Sequence, residues 1–584
     1  MSELAKVAMG LIPADCVFQG GKLVNVLTGE IYKTNIAVKG ERIAAVGDVN
    51  HTIGETTKVY DANGMFITPG LIDGHIHIES SMLTIEEFSR LVVPHGTTSV
   101  SADFHEVANV LGLKGLRLFH KISGKVLLRV FLVAPSSVPL AYNIEIPSVH
   151  LNLEDIEEIM KWDRVLGLGE ILNVHDLISE SKELNKKIQL AIKYGKFIDG
   201  NAPGIGKKEL NAYIASGPQH DHEAVSTDEA KERLRLGMWV MIREGSSERN
   251  LADLIEIVNE KIDTRRCCFA TDDKSPCDLA IEGHLDHCVR KSIELGVDPV
   301  KAIQMATINC AEYMGLEREL GSVAPGKLAD FIIVDDLKKF NVRRTIIGGR
   351  VVAENGKPLF SPEKVIYPKW ATNTFRLKRI IKPSDLEIKA DCRKNVKVRL
   401  IDVTEGTITS KASEATMFVQ NNKLVSDIER DILKIVVVER YGKTNIAIGK
   451  GFIRGFGLQH GALASSIAHD THNIICVGTN DADMALAINR VSELQGGLVI
   501  FKDRKSVGEL MLNLAGIISL ASWEKVSKEL LELHEVAQKQ LGCKLKSPFM
   551  VLSFQSSASI PELKISTLGL IDVRGMELVP LFLD

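Results

Sequence analysis

Between residues 15 and 48 apolar and polar positions alternate from one glycine-marked turn to the next (DCVFQGGKLVNVLTGEIYKTNIAVKGERIAAVGD), which predicts short antiparallel strands. The same texture returns in GSVAPGKLADFIIVDD (321–336) and TIIGGRVVAENGKPL (345–359), so the two pieces are expected to form one β domain. Between them strand-like apolar runs alternate with helical ones: FITPGLID, TIEEFSRLVVPHG, TTSVSAD, ANVLGLKGLRLFHKI and KVLLRVFLVAP, then RVLGLGE, KFIDGNAPG, GMWVMIREG and CCFATDD. That rhythm predicts a parallel β/α architecture, and a closed (β/α)8 barrel is its commonest form at this length. An open doubly wound sheet is the rival, although no strand here runs into a G-x-G-x-x-G turn. After about Trp370 the pattern changes: strands at KVRLIDV and ILKIVVVER and helices at DADMALAINRVSEL and SWEKVSKELLELHEVAQKQL predict a separate α/β domain. The glycines of GFIRGFG (451–457) are spaced like a phosphate loop but lack its Gly-Lys-Ser/Thr ending. The expected division is therefore 1–68 for the first part of the β domain, 69–315 for the barrel, 316–370 for the rest of the β domain, and 371–584 for the C-terminal α/β domain.

Composition narrows the partners. With 584 residues, 45% hydrophobic and 25% charged, the chain has material for two or three packed cores. A net charge of -4 with both signs interspersed offers no field for nucleic acid or anionic lipid, so the expected partner is a small molecule. Nine scattered cysteines without a C-x-x-C argue against a disulfide framework or a thiolate zinc cage. No apolar stretch reaches membrane-spanning length and the first residues do not read as a signal peptide; the reading is cytoplasmic, with no membrane.

Candidate chemistry sits where the apolar runs end. In PGLIDGHIHIESS, His75 and His77 follow a strand two residues apart, so both imidazoles share a face and can reach one cation. Two exposed loop histidines would be the bland alternative, but acids and histidines recur at later strand exits: Glu170, His222 and Glu223, Arg243 and Glu244, Asp272 and Asp273. Such groups converging on one barrel mouth require a compensating charge, which a divalent cation supplies. Imidazole beside carboxylate suits manganese, iron or zinc, and Glu170 can bridge two ions. His105 and Glu106 open the next helix, where capping and function are equal alternatives; Asp273 and Asp278 read as caps. The H-x-E of His77 and Glu79 is not followed by a P-C-x-x-C, which sets aside the cytidine-type zinc deaminases.

Taken in order, PGLIDGHIHIESSM, HEVANVLG, GLGEI, KKELNAYIASG, VMIREGS, TDD with GHLDH, LGSVAPGKLADFIIVDD and, near the end, GALASSIAHDTHNI with GTNDADMALAINR resemble the amidohydrolase superfamily, in particular its adenine-deaminating branch, over nearly the full length. The resemblance implies a metal centre at His75, His77, Glu170, His222 and Asp272. It departs at Asp199-Gly200-Asn201, where the family reads Asp-Gly-His; Asn201 is a weaker ligand, so a second ion is held less tightly or is absent. A further departure is FQSSASIPELK (554–564), where relatives carry a Leu-Pro-rich run.

The implied reaction is hydrolytic deamination of adenine to hypoxanthine, with one or two divalent ions per chain, Mn(2+) first and Fe(2+) or Zn(2+) as alternatives, in a homo-oligomer, a dimer. Asp272 would move the proton, Glu106 or His105 would assist at the ring, and Arg243, Glu244 and Ser246 would hold the purine edge; an Arg243–Glu244 ion pair is nearly as good a reading. His469, Asp470 and His472 read either as satisfied interior groups or as part of a lid over the barrel. Hydrolysis of another aminopurine or a cyclic amide, or a purine-binding paralogue with impaired turnover, are the other functions compatible with these residues.

Overall fold

The computed structural model describes all residues except 142, 179–181, 261, 391–393 and 584, and excepting the side chain of residue 175. The two β-rich pieces of sequence meet in one sheet. Among the described residues it has nine strands, in the order Lys357–Pro358, Arg350–Glu354, Val342–Ile347, Phe331–Val334, Phe66–Pro69, Cys16–Asn25, Glu30–Lys39 and Arg42–Gly47, with Lys58–Asp61 beside Cys16–Asn25. The seam is antiparallel, Phe331 opposite Pro69 and Ile333 opposite Ile67, and the alternating apolar positions Phe18, Ile36, Ile67, Phe331 and Ile333 close over a core of their own.

FITPGLID is thus two strands, not one. Pro69 ends the first, having no N–H to carry the ladder on, and at Gly70 any Cβ would overlap Thr98, so the chain steps across into the parallel sheet at Leu71. Five parallel strands follow in sequence order (Leu71–Ile76, Thr97–Asp103, Arg129–Ala134, Val165–Ile171, Phe197–Gly200), then three more (His220–Asp221, Trp239–Arg243, Cys267–Ala270). The His220–Asp221 strand has only two residues and no apolar run to announce it in the sequence. Gly200 brings the fifth strand against the sixth so closely that a Cβ would overlap His220 O. At the other edge Asp272 N donates to His75 O (3.1 Å) and His77 N to Asp272 O (3.2 Å), so the end of the eighth strand meets the end of the first. The result is a curled parallel sheet with helices between its strands. Asp272 holds φ +55, a left-handed conformation unfavourable for a residue with a Cβ, at the point where the two ends join.

The C-terminal half is built on a sheet of eight strands among the described residues, with the fully buried strand Ile432–Val438 near its centre and the helices Asp481–Glu493 and Trp523–Leu541 packed on the sheet. Asn480 caps the first helix by accepting from Asp483 N, and Gly542 at φ +79 stops the second. Within the glycine run 451–457, Gly455 N and Gly457 N donate to the Asp431 carboxylate (3.1 and 2.7 Å). This half packs onto the exits of the parallel strands: Ser519 N donates to Met82 O (2.9 Å), Trp523 N to Glu87 Oε2 (2.9 Å), and one apolar core runs through both. Among the described residues no helix is long and apolar enough to cross a membrane.

Candidate metal centre

The first parallel strand ends in His75 and, just beyond it, His77, and the extended backbone turns both rings the same way: their Nε2 atoms lie 3.1 Å apart. Glu170, near the end of the fourth strand, brings Oε1 to 2.8 Å from His75 Nε2, 3.3 Å from His77 Nε2 and 3.2 Å from His222 Nε2. Asp272 adds Oδ1 at 3.3 Å from His77 Nε2 and 3.9 Å from His75 Nε2. All five residues are buried. Glu170 Oε1 has no hydrogen-bond partner among the described residues, although three imidazole nitrogens surround it. Imidazole nitrogens and carboxylate oxygens gathered this closely around one point are the donor set of a divalent cation. Burial opposes charge on Glu170, and the surrounding imidazoles outweigh it, holding the carboxyl well below its usual range; a cation would satisfy the same demand.

The outer nitrogens of the two rings are fixed in turn. His75 Nδ1 donates to Asp199 Oδ2 (3.1 Å) and His77 Nδ1 to Asp103 O (3.0 Å), which leaves both Nε2 atoms free to ligate. Behind Asp199 stand His220, hydrogen-bonded to its other oxygen, and Tyr313, whose hydroxyl is 2.9 Å from His220 Nε2. Sequence reasoning placed Asp199 only within a motif and passed over Asp103, His220 and Tyr313. The signal for Asp103 was present, since it ends the apolar run TTSVSAD; Tyr313 lies far along the chain, inside a helix, and had none.

Asn201 lies beside His222, but its amide Nδ2 is what faces the neighbours, donating to Glu223 Oε1 (3.1 Å) and standing 3.5 Å from His222 Nε2. Arg243 spreads its guanidinium over both carboxylates, Nη1 to Asp272 Oδ2 (2.9 Å) and to Glu223 Oε1 (3.0 Å), Nη2 to Glu223 Oε2 (3.0 Å). The alternative Arg243–Glu244 pair does not form, because successive residues of the strand point to opposite sides. Glu244 faces away from the cavity, to Lys291 Nζ at 2.6 Å. Ser246 is likewise spent elsewhere, hydrogen-bonded to Asp278 and accepting from Ser275 N (2.8 Å). Of the three residues expected at the purine edge, Arg243 lines the cavity and Glu244 and Ser246 do not. The cap of the helix after Asp273 is Ser275, which accepts from Asp278 N; Asp273 instead takes the hydroxyl of Ser80.

His105 and Glu106 do not cap their helix, whose N-cap is Phe104 without a side-chain bond. Both face the cavity, the His105 ring edge-on to His77 at 4.7 Å. Glu106 is gripped from the C-terminal half: His469 Nδ1 donates to Oε1 (2.7 Å) and His472 to Oε2. Burial would push the Glu106 carboxyl up, and the imidazoles of His469, His472 and His105 hold it well below its usual range. Asp470, Phe554, Ser557 and Ser559 complete the far wall, so the mouth of the parallel sheet is covered by the other half of the chain.

Both halves of the chain resemble known proteins. Residues 66–352 match the Amidohydrolase family, and residues 407–577 match the Adenine deaminase C-terminal domain. The chain is 42% identical over 580 residues to an adenine deaminase of Dehalococcoides mccartyi, covering 99% of each chain. It is 40% identical over 585 residues to an adenine deaminase of Clostridium botulinum, covering 100% of this chain and 97% of the relative. A third, from Moorella thermoacetica, is 40% identical over 582 residues, with 99% and 97% covered.

Proposed function

The chain belongs to the adenine deaminase family of the amidohydrolases, and from that premise we propose that it hydrolyses adenine to hypoxanthine and ammonia in the cavity between the parallel strands and the C-terminal half. The observation that carries the reading is Glu170 Oε1, buried without a hydrogen bond amid the nitrogens of His75, His77 and His222. His75, His77, Glu170, His222 and Asp272 would hold the cation, Mn(2+) in our reading. When bound it supplies the Lewis acidity that makes water a nucleophile near neutral pH.

The side chains divide the rest of the work. Asp272 accepts a proton from the attacking water and returns it to the exocyclic nitrogen, so that C6 gains oxygen and ammonia departs. Arg243, bonded to Asp272 Oδ2, fixes that carboxylate and leaves Oδ1 turned to the reacting side. Glu106, held ionised by His469 and His472, accepts from a purine N–H or the amino group, and His105 beside it offers two nitrogens that make no hydrogen bond among the described residues. We read the eight parallel strands as one (β/α)8 barrel, the domains as 1–68 with 316–370, 69–315 and 371–584, and the protein as a cytoplasmic homodimer.

Asn201, which turns an N–H2 group rather than an oxygen toward His222, favours a second reading in which one ion is lost and the site binds purine with little turnover. Metal-free protein supplied separately with manganese, iron and zinc, and assayed for ammonia from adenine, guanine and a hydantoin, separates these. Turnover of adenine supports deamination. Activity that appears only in Asn201→His supports the impaired site, and activity confined to guanine or the hydantoin contradicts both.

A further inference from the structure

One buried carboxylate in the cavity has no part in the chemistry above. Asp470 comes from the C-terminal half, is 5% exposed, and lines the same cavity as His77, Glu170 and Asp272. Its Oδ2 has no hydrogen-bond partner among the described residues, and its Oδ1 stands 3.8 Å from His105 Nε2. A desolvated carboxylate oxygen without a donor is costly, so a donor is expected to arrive with the ligand.

The spacing indicates which donor. The His105 ring is edge-on to His77 at 4.7 Å, and its Nε2 stands 3.8 Å from Asp470 Oδ1. One imidazole therefore links the metal-ligating side chains to Asp470. In a purine, C6 and the ring nitrogen N9 lie diagonally across the bond shared by the two rings. With C6 against Glu170 and Asp272, the N–H of the five-membered ring points to the opposite wall, which Asp470 and Phe554 share. Phe554, stacked on His469 at 4.5 Å, adds an aromatic surface there.

We propose that Asp470 accepts the N9–H of a free purine base and so restricts the site to purines without a substituent at N9, excluding nucleosides. The proposal rests on the reading that C6 is the reacting atom. An N9 substituent removes the donor and leaves a buried carboxylate facing carbon, and sites built around such a bond reject the analogue that lacks it. Asp470 lies in the C-terminal half, so on this proposal base specificity is set there.

The test compares adenine with 9-methyladenine on metal-loaded, full-length protein. The wild-type chain is expected to prefer adenine by at least about 100-fold in kcat/KM. In Asp470→Ala, which removes the acceptor and makes room for a methyl group, that preference shrinks at least about tenfold, chiefly through KM for adenine, with metal content per chain unchanged. Asp470→Asn keeps one acceptor oxygen and falls between, and it serves alone should the alanine variant not fold. An unchanged preference in the variants, equal use of both bases by the wild type, or loss of metal with the carboxylate overturns the proposal. Equilibrium binding of the same two bases by calorimetry keeps this apart from the deaminase reading: Asp470-dependent selection of adenine without turnover sinks that reading alone, whereas turnover with Asp470-independent selection sinks only this one.

Discussion

Glu106 Oε1 lies 2.7 Å from His469 Nδ1, although 363 residues separate them in the chain. His472 closes on the other oxygen from a left-handed backbone, φ +50, so the C-terminal half spends an unfavourable conformation to reach it. A carboxylate at the mouth of the parallel sheet is thus oriented by a different domain. His469→Ala and His472→Ala are expected to lower kcat for adenine by about tenfold or more at unchanged metal content, by analogy with the loss of groups that orient a functional side chain. His469→Gln, which retains an N–H donor, should recover part of the loss; equal loss in both His469 variants would mean that shape alone matters.

Asp199 fixes His75 through Nδ1, with His220 and Tyr313 behind it. Asp199→Asn should weaken the retained metal by about 10–100-fold, read by competition with a chelating dye, while the thermal unfolding of metal-free protein changes far less.

How much of this was legible in the sequence depended on range. His75 and His77 could be read because two residues in a strand share a face, a local rule needing no partner. Glu170 and Asp272 were legible as polar residues closing apolar runs, and His222, which no apolar run precedes, through the family motifs. Their common point of aim was not, since it follows from how far the sheet curls. The departures from those expectations have the same origin. Glu244 and Ser246 follow Arg243 in sequence, but the pleat sends Glu244 outward and the loop ties Ser246 to Asp278. FITPGLID reads as one apolar run because Pro69 and Gly70 interrupt hydrogen bonding, not hydrophobicity. The grip of His469 and His472 on Glu106 is a contact between domains, and no periodicity encodes it.

Arg243 is buried between Asp272 and Glu223 and bonds to both. Arg243→Met leaves two desolvated carboxylates without their guanidinium, and removing one partner of a buried pair costs about 3–5 kcal/mol. Metal-free protein should lose stability on that scale in chemical denaturation. Saturating metal should return part of it, because the cation takes over the charge of Asp272; an undiminished loss with metal bound would place the ion elsewhere.

Lys564 is buried in the C-terminal half with Nζ donating to Ile408 O (2.9 Å), and burial pulls its pKa from 10.5 to about 7. Between those values the unfolded chain holds a proton the folded chain lacks, so stability from this group rises with pH across the window. Lys564→Met should therefore raise Tm below pH 7, and the gain should fade as pH approaches 10.5. A gain independent of pH would show that the lysine is not desolvated.

The central claim is that His75, His77, Glu170, His222 and Asp272 converge on a cation. Crystals of manganese-loaded protein, measured on either side of the manganese absorption edge, test it directly. The account predicts anomalous density within coordinating distance of His75 Nε2, His77 Nε2 and Glu170 Oε1. No density there, or density only at Glu106, His469 and His472, would contradict it.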